Sequence, residues 1–386
     1  MNKSMLASIQ EATRILQTRG PAEATAAIQR ALQQTPSPVG ECVEGHASRS
    51  PEANEALVLP QLPFRPAVSA DVGMLPAPVS PQRRTGRARP GHGRKTEVPP
   101  GDFLTGAFSN RAGAREYKLY VPSGHHAQAL PLVVMLHGCT QSPDDFASGT
   151  RMNAAAELQP CFVLYPAQAQ RANGSRCWNW FKSAHQKRDR GEPSIIGGMT
   201  REIIAKYGID PRRVYVAGLS AGGAMAAIMK STHPDLFAAA GVHSGLPYGA
   251  AHDLPSALEA MKGRSRATAA RPDDLAPLIV FHGDGDKTVH PRNAEEILAQ
   301  GVPGSGASAT ASSTEVQQGR VPDGHPFTRT LYRDDAGRVI AEHWVVHGAA
   351  HAWSGGSDEG SYVDPRGPDA TREMLRFFSL WAQPES

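Results

Sequence analysis

Residues 213–223 read RVYVAGLSAGG. Ser220 has a glycine two residues before it and another two residues after it. It follows the β-formers Val214, Tyr215 and Val216 and precedes AGGAMAAIMK, a stretch of helical composition. A hydroxyl in water is a poor nucleophile, so the arrangement matters only if something activates it. The skeleton G-x-S-x-G is a weak signal alone. Between a strand and a helix it describes a tight turn that strains the serine backbone, while the glycines let strand and helix approach closely. The hydroxyl then projects above the sheet at a helix N-terminus. The plainer alternative is a Gly-rich strand–helix turn with a capping serine. The chemistry in view is attack by Ser220 on an acyl carbonyl.

Such a serine needs a base. His351, in VVHGAAHAWSGG, follows the last expected strand. That places it on a loop at the carboxyl edge of a sheet, where open α/β sheets build their sites. Its Nε2 can take the serine proton and later return it to the leaving group. His347, at the strand end, is the rival and reads as structural; His282 and His290 lie near the acid. IVFHGDGDKTVHP offers Asp284 and Asp286 as that acid. In similar hydrolase loops the acid stands four residues after the histidine and three before the valine. That selects Asp286, with Val289 packing beneath it, and leaves Asp284 to bond backbone N–H groups. The order Ser220, Asp286, His351 is the one α/β-hydrolases use. The expected oxyanion donors are the N–H groups of Ala221 and of Cys139, in the loop His137–Gln141, each contributing on the order of 3 kcal/mol. His137 reads as a brace for that loop. No cofactor is required by this chemistry, and no His/Asp cluster has metal-ligand spacing.

The elements that must hold these residues are legible as alternation. LPLVVMLHG (130–138), CFVLYP (161–166), RVYVAG (213–218), FAAAGVHSG (237–245) and PLIVFHG (277–283) are apolar runs, the mark of strands buried on both faces. REYKLYVP (115–122) alternates as a strand, and residues 328–348 read as a hairpin turning at Asp334–Gly337. Helices are expected over 143–159, 193–207, 221–233 and 293–300, with a closing amphipathic helix over 370–383. Strands alternating with helices predict an α/β class, with a mostly parallel sheet covered on both faces, over residues 102–386. Ahead of it, Met5, Ile9, Ala12 and Leu16, then Ala24, Ile28 and Leu32, predict a short helical pair over 1–35. Residues 36–101, rich in Pro, Ser, Gly and Ala with the basic run QRRTGRARPGHGRK, read as a largely disordered linker.

Bulk composition excludes several classes. Lys plus Arg number 40 and Asp plus Glu 37, a net charge of +3 that calls for no nucleic-acid or membrane partner. No uninterrupted apolar run reaches the ~18 residues of a membrane span. The four cysteines, Cys42, Cys139, Cys161 and Cys177, are too few for a disulfide scaffold. Cys42 reads as a free thiol and Cys161 as a buried one.

Five segments in this order resemble the polyhydroxybutyrate (PHB) depolymerase family of esterases, whose relatives include feruloyl and acetylxylan esterases: LHGCTQ (136–141), CWNWF (177–181), GLSAGG (218–223), FHGDGDKTVHPRN (281–293) and GAAHAWSGG (348–356). The resemblance covers about residues 102–383. It implies an α/β-hydrolase fold and hydrolysis of short-chain 3-hydroxyacyl esters by Ser220, Asp286 and His351, with Cys139 and Ala221 as oxyanion donors. It also implies a Cys139–Cys177 disulfide. Trp178, Trp180 and Trp353 lie in these motifs; they read either as packing residues or, as adopted here, as walls of a substrate cleft. No clear signal peptide opens the chain and no polymer-binding domain follows, so the expectation is a cytoplasmic protein acting on granules or soluble oligomers. The amino-terminal helices would then touch the granule surface. The rivals are a feruloyl/acetylxylan-type carbohydrate esterase and a catalytically silent granule-associated protein.

Overall fold

A computed structural model describes residues 101–126, 128–265, 277–302 and 313–384. These residues belong to one of the two compact units into which the chain divides. The expected helical pair and linker (1–35 and 36–101), and with them Cys42, lie outside the described residues.

Ten strands form one sheet: β1 (Asp102–Asn110), β2 (Gly113–Val121), β3 (Leu132–Leu136), β4 (Phe162–Pro166), β5 (Val214–Leu219), β6 (Ala239–His243), β7 (Leu278–Gly283), β8 (Ser313–Arg320), β9 (Pro326–Arg333) and β10 (Val339–Val346). Their spatial order is β1-β2-β4-β3-β5-β6-β7-β10-β9-β8. The centre, from β4 to β10, is parallel. Both margins are antiparallel. The pairing of β9 with β10 is the expected hairpin, closed by Gly337 at φ 76.

Strands β3 to β7 are buried along their whole length, because side chains on both faces meet apolar neighbours. Alternation divides them. Leu132, Val134 and Leu136, with Val214, Val216, Leu278 and Val280, join one core. Val133 and Met135, with Tyr215, Ala217, Ile279 and Phe281, join the other. The first core is covered by α3 (Gly191–Tyr207), α4 (Ala221–Thr232), α5 (Leu254–Met261) and α6 (Arg292–Gly301). The second is covered by α1 (Pro143–Thr150), α2 (Met152–Leu158) and α7 (Ala370–Phe378), through Phe146, Met152, Met374, Phe377 and Phe378. Each such side chain, fully buried, contributes about 1.5–3 kcal/mol.

Local signals set the helix ends. Ser142 caps α1 by accepting the Asp145 N–H, with Pro143 in the first turn. Gly208, at φ 62, ends α3. The single helix expected over 143–159 is two, broken where Arg151 turns left-handed at φ 56. Strands β1 and β8 and helix α5 escape the sequence reading; β8 is exposed at nearly every position and so lacks an apolar rhythm.

Because the central strands run parallel, their carboxyl ends share one edge. There the segments following β3, β5, β6, β7 and β10 come together, and with them residues 137–141, 220, 244, 284–286 and 347–351.

Candidate active site

Strand β5 delivers Ser220 into helix α4 through a backbone at φ 57, ψ −119. A non-glycine residue at positive φ costs about 1–3 kcal/mol and persists only where its surroundings enforce it. Here they do. A Cβ on Gly218 would come within 2.7 Å of the Leu136 carbonyl oxygen, and one on Gly222 would overlap that same oxygen. The two glycines therefore let β3, β5 and α4 meet, which makes the sharp turn possible. The Ser220 N–H is bonded to the His243 carbonyl at 2.9 Å, tying the turn to the end of β6.

The loop after β7 carries Asp286, whose side chain is fully buried. Its Oδ1 accepts the N–H groups of Thr288 (2.8 Å) and Val289 (2.9 Å). Its Oδ2 lies 2.6 Å from His351 Nδ1 and 3.3 Å from His282 Nε2. Burial pushes the carboxyl up, but the bonds and charges of the two imidazoles outweigh it and hold Asp286 well below the usual carboxylate range. An ionised Asp286 orders the tautomer of His351: Nδ1 carries the proton and Nε2 is left as the basic atom. Among the described residues, no hydrogen bond joins His351 to Ser220 Oγ; such bonds are often long before substrate arrives. Asp284 does what the loop reading expects, accepting the Gly348 N–H at 2.6 Å and pairing with His347 Nδ1 at 2.8 Å. The other nitrogen of His347 meets Thr328, so both are occupied in fastening the loop. His290 caps the turn into α6.

The loop after β3 passes against the serine: a Cβ on Gly138 would sit 3.7 Å from Ser220 Cβ. Gly138 N–H is bonded to Gln141 Oε1 and Thr140 N–H to the Ser175 carbonyl, while the intervening Cys139 N–H has no acceptor among the described residues. Ala221 is the first residue of α4, so its N–H has no partner within the helix. Among the described residues both expected donors are thus unoccupied beside the turn. Cys139 is joined to Cys177 by a disulfide. His137 is buried, bonded through Nδ1 to the Gly138 carbonyl and through Nε2 to the Gln168 N–H. Burial pushes its pKa down to about 4, so it stays a neutral brace.

The family model described as esterase PHB depolymerase matches residues 115–311. The chain belongs to the PHB depolymerase esterase family. It is 34% identical over 271 residues to poly(3-hydroxyalkanoate) depolymerase C of Paucimonas lemoignei, covering 67% of this chain and 61% of that protein. It is 28% identical over 263 residues to poly(3-hydroxybutyrate) depolymerase of Ralstonia pickettii, covering 63% and 51%. The match thus spans between half and two thirds of the length of these relatives. An acetyl xylan esterase from Aspergillus awamori shares the fold, with a TM-score of 0.55 at 21% identity over 69% of this chain and 94% of that one. The fold is that of the α/β-hydrolases.

In this family member the tryptophans do not line a cleft, contrary to expectation. Trp178 is fully buried and donates Nε1–H to the His137 carbonyl at 3.1 Å, bracing the loop 137–141. Trp353 is fully buried between Phe146 and His243, with Nε1–H on Thr371. Trp180 is buried against Phe181. Large rings near a site pack below it when the core has room, and burial alone distinguishes that from substrate contact.

Several residues around the site have no role assigned by the sequence. His243 is buried, stacked on Phe281 and Trp353, and accepts the Ser354 N–H at its Nε2 (3.0 Å). Burial pushes its pKa down to about 3. Gln141 connects Gly138 with Asp145 and the Ser361 carbonyl. Glu192, fully buried in the first turn of α3, accepts both the main-chain and side-chain N–H groups of Asn179 (2.7 Å each) and so locks the CWNW loop. The only sequence sign of His243 is its position closing a buried run. Among the described residues no group of three or more His, Cys, Asp or Glu side chains is arranged to hold a metal ion, and no helix is long and apolar enough to cross a membrane.

Proposed function

We propose that this chain is a serine carboxylic-ester hydrolase that cleaves poly(3-hydroxybutyrate) or its 3-hydroxyacyl oligomers. The observation that carries this reading is the Asp286–His351 bond of 2.6 Å, held at the same sheet edge as the strained Ser220 turn. In this mechanism His351 Nε2 takes the Ser220 proton as Oγ bonds to the ester carbonyl carbon. The carbonyl oxygen, now anionic, is met by the Cys139 and Ala221 N–H groups. Collapse expels the alcohol end of the polymer, which receives the proton from His351. Water, deprotonated by the same nitrogen, then attacks the acyl carbon; the C–Oγ bond breaks, His351 returns the proton to Ser220 Oγ, and the 3-hydroxyacid is freed. The substrate class is supported by the names of the two depolymerase relatives.

The test is hydrolysis of PHB granules, 3-hydroxybutyrate trimer, p-nitrophenyl butyrate and methyl ferulate by wild type and Ser220→Ala, with fluorophosphonate labelling. Labelling at Ser220 and cleavage of the hydroxybutyrate substrates are expected, with Ser220→Ala lowering kcat on the order of a million-fold. Cleavage of methyl ferulate alone would move the substrate to carbohydrate esters; no labelling would end the serine mechanism. The Cys139–Cys177 bridge supports an oxidising compartment over the cytoplasm. Alkylation of thiols before cell lysis separates the two. Contact of residues 1–35 with a granule is tested by deleting them, and unchanged co-sedimentation would refute it.

A further inference from the structure

Tyr362 is a large side chain that packing does not explain. It is 48% exposed, and no other aromatic ring packs on it among the described residues. Its backbone stands at φ 54, a conformation unfavourable for a bulky residue. Seven non-glycine residues stand at positive φ among the described residues; Thr140 (φ 67), Arg176 (φ 53), Ser220 (φ 57) and Ser244 (φ 47) share this end of the molecule with Tyr362, while Arg151 and Asp323 lie in turns elsewhere. Such residues cluster where a fold holds groups ready for a ligand.

The strain is enforced from two sides. The Tyr362 carbonyl accepts the Trp353 N–H at 2.7 Å, fixing it to the segment that begins at His351. The preceding Ser361 donates its N–H to Asp145 Oδ1 (2.9 Å) and its hydroxyl to Asp145 Oδ2 (2.6 Å). Its carbonyl accepts Gln141 Nε2–H (3.0 Å), and Gln141 Oε1 in turn holds the Gly138 N–H. A Cβ on Gly360 would overlap the Gly149 backbone, so the segment lies flat on α1. Tyr362 is therefore fastened to the base loop and to the oxyanion loop at once. Its hydroxyl lies 3.3 Å from Thr140 Oγ1, one residue beyond the Cys139 N–H. The Thr140 hydroxyl donates to the Cys139 carbonyl at 2.5 Å, so in their mutual contact the tyrosine is the donor. That bond ties down the hydroxyl end of the ring, while the side chain as a whole stays half exposed.

We infer that Tyr362, oriented by Thr140, forms a subsite for the repeat unit next to the reacting ester and so sets a preference for hydroxyacyl oligomers over simple esters, an inference resting on the polyester reading above. A 3-hydroxybutyryl unit presents a methyl and a methylene to such a surface, and an aromatic face covers both at little entropic cost. A simple ester such as p-nitrophenyl acetate has no second unit to place there.

The experiment compares wild type, Tyr362→Ala, Tyr362→Phe and Thr140→Val on 3-hydroxybutyrate trimer and on p-nitrophenyl acetate, with thermal unfolding as a check on the fold. The ratio of kcat/KM for trimer to that for p-nitrophenyl acetate is expected to fall about tenfold or more in Tyr362→Ala. It should fall about threefold in Tyr362→Phe and Thr140→Val, which keep the ring but free it. Should Tyr362→Ala unfold, the Thr140→Val ratio carries the decision. An unchanged ratio in Tyr362→Ala while wild type cleaves trimer overturns the subsite and leaves the polyester reading standing. A wild type inert towards trimer overturns both. Equal falls in Tyr362→Phe and Tyr362→Ala overturn the role given to the ring face.

Discussion

His243 is bonded to both Ser220 and Ser354. The carbonyl of His243 accepts the Ser220 N–H at 2.9 Å, and the imidazole of the same residue accepts the N–H of Ser354, three residues after His351. One residue at the end of β6 thus sets the Ser220 turn and the His351 loop relative to each other. Its ring is buried and neutral, so the Nε2 lone pair stays available as an acceptor.

His243→Phe keeps the stacking on Trp353 and Phe281 but strands the buried Ser354 N–H. An unsatisfied buried donor costs about 1–3 kcal/mol. We expect a lower unfolding free energy by that amount and kcat reduced about tenfold or more, with KM on p-nitrophenyl butyrate little altered. Full kcat in a correctly folded His243→Phe would refute the linkage.

Asp286 is held below its ordinary pKa in the folded state by His282 and His351, so the unfolded chain binds its proton more readily. The stability it contributes is fully present above the ordinary carboxylate pKa of about 4 and is lost as the pH falls below it. The wild type is therefore expected to lose stability relative to Asp286→Asn below about pH 4, with a constant difference above about pH 5. Denaturant melts at several pH values measure this. The same variant should lower kcat about ten-thousand-fold, because an amide favours the wrong His351 tautomer.

Four histidines, His137, His233 and His243 buried and His343 half-buried, shift in the same direction: His137, His233 and His343 are pushed down to about 4 and His243 to about 3, desolvation being the main cause. Each stays neutral when folded but takes a proton at about pH 6.5 when unfolded. Their stability is present above about pH 6.5 and drains away as the pH falls towards about 4. Unfolding free energies at pH 7, 6, 5 and 4 should fall steadily over that window, and His343→Leu should flatten the slope. A curve level down to pH 4 would contradict these neutral rings.

The Cys139–Cys177 bridge closes a loop of sequence separation 38. By loop entropy this is worth about 4 kcal/mol. Reduction, or Cys177→Ala, should lower Tm. It should also lower kcat, because the bridge anchors the loop that presents the Cys139 N–H. Activity retained in full after verified reduction would place the oxyanion donors elsewhere.

Much of the site was readable because its determinants are local. Gly218 and Gly222 flank Ser220 at the spacing a sharp strand–helix turn requires, and the β5 run before it is apolar throughout. Asp286 was separable from Asp284 by its offset from His282 and Val289, and the two carboxylates indeed take different imidazoles. Trp178 and Trp353 misled the reading because an aromatic residue in a site motif looks the same whether it faces ligand or core. Strand β8 escaped it because an exposed edge strand has no buried face to impose a rhythm.

The sequence by itself determined the class of sheet, the turn that strains Ser220 and the order of the three candidate catalytic residues, since each is built from short local segments whose order along the chain is given. Only the tertiary structure decided which tryptophans are buried, that His243 joins two loops, and that Tyr362 stands exposed beside Thr140. Those contacts close over separations of 111 residues for Ser354 with His243 and 222 for Thr140 with Tyr362. Pairings so distant are set by how the sheet edge assembles, and no periodicity along the chain records them.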